Sequence, residues 1–140
     1  MSTPTTRSAA TTGRTEKAAR VVAGLSGVLG LGLAGRFLLD PGTAAEGYGV
    51  RTAAGNPYLA VKGIRDLGAG VTVLGLLAAH DTRALGRTLL ALSVIPVGDA
   101  LVVRRHGGPL STSLGIHGLT ALGMVAAGAV LSRANQAGRR

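Results

Sequence analysis

The sequence predicts an all-α fold, a four-helix transmembrane bundle with antiparallel, up-down order. Three observations carry that prediction. Four apolar runs of about bilayer-spanning length alternate with short polar breaks. Nearly half of the residues are apolar, yet Phe37, Tyr48 and Tyr58 are the only aromatic ones. A soluble core of this size leans on large rings, whereas Gly, Ala, Leu and Val suit closely packed membrane helices. The basic residues, finally, gather at the termini and between the runs, where they would face headgroups and cytoplasm. That distribution is not the patch or stripe of a nucleic-acid binder, so the net charge of +9 does not imply a nucleic-acid partner.

The chain of 140 residues is one domain at most, and without cysteine it can form neither disulfides nor thiolate metal sites. Residues 1–17 are Ser, Thr, Ala and Arg without apolar period, and read as a disordered cytoplasmic tail. A secretory signal is the rival reading, but the apolar stretch that follows is too long for one and ends in no small-x-small cleavage site. Residues 18–133 read as the four-span membrane domain, and 134–140 as a second, basic cytoplasmic tail.

The first span runs from about Val21 to Leu39, with Ala23, Ser26, Gly27, Gly30 and Ala34 at the small-xxx-small spacings that let helices approach closely. Such Gly/Ala faces also suit a homo-oligomer. Asp40, Pro41 and Gly42 then stop the helix. Residues 40–57 read as a loop. The second span, about Tyr58 to Ala79, opens with Lys62, Arg65 and Asp66, which share one helix face. A turn at His80-Asp81-Thr82 follows, with Asp81 or Thr82 as the next cap. The third span, about Arg83 to Val103, contains Pro96, which should kink it and free a carbonyl near Leu92. The fourth runs from about Ser111 to Leu131, with His117 in its second turn.

Orientation follows from the Lys and Arg count. With the N-terminus inside, nine lie on the inner side and Arg51, Arg104 and Arg105 on the outer, which places both termini in the cytoplasm of a multi-pass cell-membrane protein. The Arg104-Arg105 pair runs against that assignment.

What remains is a set of charges inside the spans: Arg36, Lys62, Arg65, Asp66 and Asp99, with His117 as a titratable neighbour. They come from four separate helices, and up-down order brings all six to one depth on the non-cytoplasmic side. Charges in a span are costly and mark function by default. A structural reading competes with the functional one. Cations near helix ends snorkel, and an Arg65–Asp99 or Arg36–Asp66 pair would clamp helix register. One His and two Asp facing three cations make a poor metal cage, so no metal is expected, and no cofactor motif is present. GLGLAG at Gly30 to Gly35 lacks the preceding strand and following acid of a dinucleotide fold.

The stretches RFLLDPGTAAEGYGV, VKGIRDLGAGV and IPVGDALVVRRHGG…IHG resemble domain-of-unknown-function family 4267, small four-helix bacterial membrane proteins. The likeness runs from about Gly30 to Leu131. It implies a four-helix membrane protein and no particular activity. More distantly the chain is similar to DoxX-like and anthrone-oxygenase-like membrane families. The latter imply that so small a bundle can serve cofactor-independent chemistry, an analogy of fold alone.

Two function classes follow. In the first, the chain sits in the lipid bilayer and binds a lipophilic small molecule, or serves as an accessory membrane subunit. In the second it is a cofactor-independent cyclase, isomerase or oxygenase. Asp66, Asp99 and His117 would then do acid–base chemistry, and Arg36, Lys62 and Arg65 would bind the substrate and stabilise an oxyanion. A proton-linked carrier fits less well, because the charges sit at one end and do not thread the bilayer. If Asp66, Asp99 and His117 share a pocket, Ala69, Val73, Leu92 and Thr120 should form its deeper, apolar part.

Overall fold

A computed structural model describes residues 5–53 and 55–134, which are helix and loop with no strand among them. The order is α1 (Thr5–Leu39), α2 (Pro41–Tyr48), α3 (Pro57–Ala78), α4 (Thr82–Leu92), α5 (Val94–Arg105), a π-helical segment (Ser111–Gly118) and α6 (Leu119–Arg133). Three stretches are long and apolar enough to cross a bilayer: Thr11–Leu39, Thr82–Arg105 and Ser111–Ala134. Their outward faces leave large apolar side chains such as Leu25, Val94 and Leu122 about two-thirds exposed. A water-soluble surface would not carry so much apolar area, so this is a membrane protein. Helix α3 is not one of the three, because Lys62, Arg65 and Asp66 interrupt its apolar run.

One expectation, the loop read over 40–57, is corrected. Helix α1 begins at Thr5, within the stretch read as a tail; residues 1–4 lie outside those described. Ala, Arg, Glu and Lys are good helix formers, and Glu16 pairs with Arg20 one turn on, Nη2 to Oε1 3.2 Å. Arg20 also donates to the Thr82 hydroxyl, tying α1 to the start of α4. Of the second tail, 135–140 lie outside the described residues. The loop read over 40–57 contains α2. Asp40 and Pro41 end α1 but also start α2, with Asp40 Oδ1 accepting from the Thr43 N–H at 3.3 Å and Pro41 at the first helical position. Gly49, at φ 89°, closes it in a left-handed cap that a side chain would strain.

Elsewhere the elements follow local chemistry. Asn56 and Asp81 cap α3 and α4, accepting from Tyr58 N and Ala84 N at 3.0 Å each. The third apolar run breaks at Ser93, between α4 and α5. Pro96 has no N–H for the Leu92 carbonyl and its ring crowds it, so the ladder gives way one turn before the proline. Ser93 Oγ donates to Leu90 O at 2.7 Å across the break.

Helix α1 packs along α3 and against α6, α4 packs on α6, and α5 lies on the π-helical segment. The α1–α3 contact is backbone to backbone. A Cβ on Gly70 would lie 2.8 Å from Gly27 O, and one on Gly30 3.2 Å from Asp66 O. The small residues of the first run are therefore used inside the chain. Helices α4 and α6 meet in the same way, where a Cβ on Gly86 would lie 2.9 Å from Gly128 O and 2.7 Å from the Leu131 carbonyl carbon. Two apolar clusters result. One joins α1, α3, α4 and α6 around Ala23, Val73, Leu89, Met124 and Leu131. The other joins α1, α2 and α3 around Phe37, Ala44, Ala45 and Leu59.

These contacts fix the outcome of two glycine substitutions. Gly86→Ala pushes a methyl into backbone and should cost about 1–3 kcal/mol, read as a lower melting temperature in detergent. Gly32→Ala meets nothing within 4 Å and should leave melting unchanged or raise it through helix propensity. Equal effects from the two would contradict the α4–α6 packing.

Candidate functional site

One turn of α3 supplies the centre of the site. Lys62 and Asp66 are four residues apart, so they meet on one face, Nζ to Oδ2 2.5 Å. Arg65 reaches the other oxygen of Asp66, with Nε at 3.1 Å and Nη2 at 3.0 Å. Its Nη2 also reaches Asp99 Oδ2 on α5 at 3.2 Å. Asp66 is almost fully buried, its side chain 7% exposed, and carries two cationic partners. An unpaired carboxylate there would be prohibitively costly, so the pairing is a condition of the packing.

Tyr48, the last residue of α2, ties this network to the rest. Its hydroxyl donates to Asp99 Oδ2. Its ring meets Phe37 edge-on at 5.4 Å and His117 at 4.3 Å, tilted by 59°. The Lys62 ammonium stands 4.0 Å above the Tyr48 ring and 4.5 Å above Phe37, a cation held over two aromatic faces. Burial, and then the Asp99 charge and hydrogen bond, push the Tyr48 hydroxyl far above the ordinary phenol range. It therefore stays a proton donor at any physiological pH.

His117 is buried in the π-helical segment. Its Nε2 lies 3.3 Å from the Tyr48 carbonyl oxygen, which can only accept, so Nε2 carries a proton. A π turn is wider than an α turn and is common where a helix re-aims a side chain. Ser113 Oγ holds this segment to α5 by donating to Ala100 O at 2.9 Å.

Between the two apolar clusters lies a cavity of about 280 Å³. Ala69, Val73, Leu92 and Thr120 line it, with Pro96 and Met124, and Asp66, Asp99, Tyr48, His117 and Arg36 form its polar part. Of the six charges and titratable groups read from the sequence, Lys62, Arg65, Asp66 and Asp99 form one ion-paired network. His117 joins it through Tyr48. Arg36 stands on the cavity wall and makes no ion pair among the described residues. Lys62 and Arg65 are not among the wall residues; they hold the two carboxylates from outside it. Among the described residues no three His, Asp or Glu side chains converge to hold a metal ion. Tyr48 is the site residue that sequence reasoning missed. Its signal was scarcity, as one of three aromatic side chains in the chain, placed just before a glycine that closes a helix.

Residues 26–131 match the family described as Domain of unknown function (DUF4267). The match covers well over half of the sequence, and the chain belongs to that family. No curated protein and no solved structure matches it.

The network's couplings can be measured. Asp66→Ala strands two cations and should cost roughly 3–5 kcal/mol, the largest melting loss among the site variants. Tyr48→Phe and Asp99→Asn should not add: in a double-mutant cycle the pair should show a coupling of about 0.5–3 kcal/mol. Additive losses would mean that the Tyr48 hydroxyl does not act on Asp99.

Proposed function

We propose that this chain is a four-span membrane protein whose cavity binds a compact lipophilic molecule, polar end toward Tyr48, Asp99 and His117. In this reading α1, α3, α4 with α5, and the π-helical segment with α6 are the four antiparallel spans of an up-down bundle. Helix α3 joins the other three because its charges are compensated. Lys62, Arg65 and Asp66 are mutually paired, which offsets the cost of taking them into the membrane. The basic residues favour both termini on the cytoplasmic side and the charged cluster on the opposite side.

The observation that carries the binding reading is the division of the cavity wall. Most of its residues are apolar, and Arg36, Tyr48, Asp66, Asp99 and His117 supply its titratable groups. Small-molecule sites have this form, an apolar enclosure with a few convergent polar groups. At about 280 Å³ the cavity lies near the lower end of the usual range of roughly 300–1,000 Å³, which favours a compact ligand over a whole phospholipid.

One observation favours a second reading, an enzyme without cofactor. His117, Tyr48 and Asp99 lie together on the wall, with Tyr48 bonded to Asp99 through its hydroxyl and to His117 through its backbone carbonyl. Asp66 and Asp99 are each engaged by cations, so His117 would be the base and Tyr48 the donor.

Topology is checked by reporter fusions at the C-terminus and at Gly55, which should report opposite sides of the membrane; the same side for both would exclude four spans. Binding is checked by solvent extraction of the purified protein and mass spectrometry. Wild type should carry a lipophilic compound that Ala69→Phe, which fills the cavity, does not; equal extracts from both would refute the binding reading. If the enzyme reading holds, Asp99→Asn and His117→Ala should each abolish turnover of that compound while leaving a folded protein. Unchanged turnover in both would leave binding alone.

A further inference from the structure

We propose that the cavity selects a lipophilic monoanion, a compact apolar molecule with one carboxylate or similarly acidic oxygen, whose charge is held by Arg36. The inference rests on the cavity being a ligand site and adds the chemical class of its occupant. It comes from accounting for the charges that line the cavity and for their ion-pair partners. Asp66 is satisfied by Lys62 and Arg65, and Asp99 by Arg65 and Tyr48. Two cations thus face two carboxylates, and this part of the site is neutral. Asp40 is occupied in capping α2, and Glu46 is exposed and forms no ion pair. Arg36 is left over. Among the described residues its guanidinium has no ion pair and no hydrogen bond, yet it lines the cavity.

The neighbouring residue keeps it uncovered. A Cβ on Gly47 would lie in ordinary contact with Arg36 Nη2, at 3.5 Å, and glycine leaves that side of the guanidinium open. A cationic ligand would have to displace Lys62 or Arg65 from carboxylates they already satisfy. A neutral one would gain nothing from the Arg36 charge. A single anionic group completes the balance, and a guanidinium fork fits a carboxylate with two parallel hydrogen bonds. Arg36 lies at the exposed edge, so water satisfies it when the cavity is empty and little is lost by leaving it unpaired.

The test compares 2-naphthoate with 2-naphthamide, two probes of nearly the same shape that differ in charge. The chain has no tryptophan, so naphthalene fluorescence reports binding to the protein in lipid nanodiscs without interference. Wild type should bind naphthoate at least about tenfold tighter. Arg36→Gln should erase that margin and leave naphthamide affinity unchanged. Equal affinities in wild type, or a margin that survives Arg36→Gln, would overturn the monoanion assignment. In that event, loss of naphthamide binding on Ala69→Phe would still uphold the cavity as a ligand site. Binding of neither probe, or binding indifferent to Ala69→Phe, would overturn both. Nanodiscs of phosphatidylcholine with and without phosphatidylglycerol separate a free anion from a lipid phosphate. A margin kept in both supports the free ligand; one that disappears with the anionic lipid assigns Arg36 to a headgroup and overturns it.

Discussion

The structure depends on the compensation of one buried carboxylate. Asp66 lies in the crossing of α3 with α1, with Gly30 against the Asp66 backbone carbonyl, and its side chain is almost wholly removed from solvent. In such a place charge is tolerated only when its partners are in position. Lys62 arrives from one helical turn before it and Arg65 from the adjacent residue, so α3 brings its own counter-charges. Because Arg65 has a second hand on Asp99, the same requirement fixes α5 relative to α3. A charge that would expel α3 from an apolar interior thus becomes the point at which three helices are registered.

Tyr48 extends that registration to the remaining elements. Its ring fills the space between Phe37, His117 and Lys62, and its hydroxyl and carbonyl engage Asp99 and His117. A short helix that would otherwise rest only on α1 and α3 is in this way linked to α5 and to the π-helical segment. The scarcity of aromatic side chains gains meaning here. Two of the three in the chain, Phe37 and Tyr48, are in mutual contact at the polar end of the cavity.

Much of this was legible in the sequence, and the failures have physical causes. The long apolar runs, the Asp81 cap and the gathering of Lys62, Arg65, Asp66, Asp99 and His117 follow from period, spacing and the cost of buried charge. Helix α2 was hidden because Asp-Pro ends one helix and begins another with the same residues, and the glycines around Tyr48 read as loop. The break at Ser93 was displaced from Pro96 because a proline damages the turn before it. The π-helical segment has no composition of its own, since its residues would serve an α-helix equally well. Of the two clamps read from the sequence, Arg65–Asp99 forms and Arg36–Asp66 does not, since Asp66 takes its partners from its own helix.

The crossing of α1 and α3 at Gly30 and Gly70 has a consequence for how the family can vary. With backbone against backbone there is no side chain to trim in compensation, so a larger residue at one of these positions has no partner substitution that restores the fit. Change there is closed to gradual drift. The α5 contact with the π-helical segment is different, being held by a hydroxyl-to-carbonyl bond from Ser113 and by side chains that can be exchanged piecemeal. Divergence among relatives should therefore accumulate on the α5 side of the cavity while the α1–α3 wall is inherited as a block. One wall preserves the frame, and the other is free to change shape.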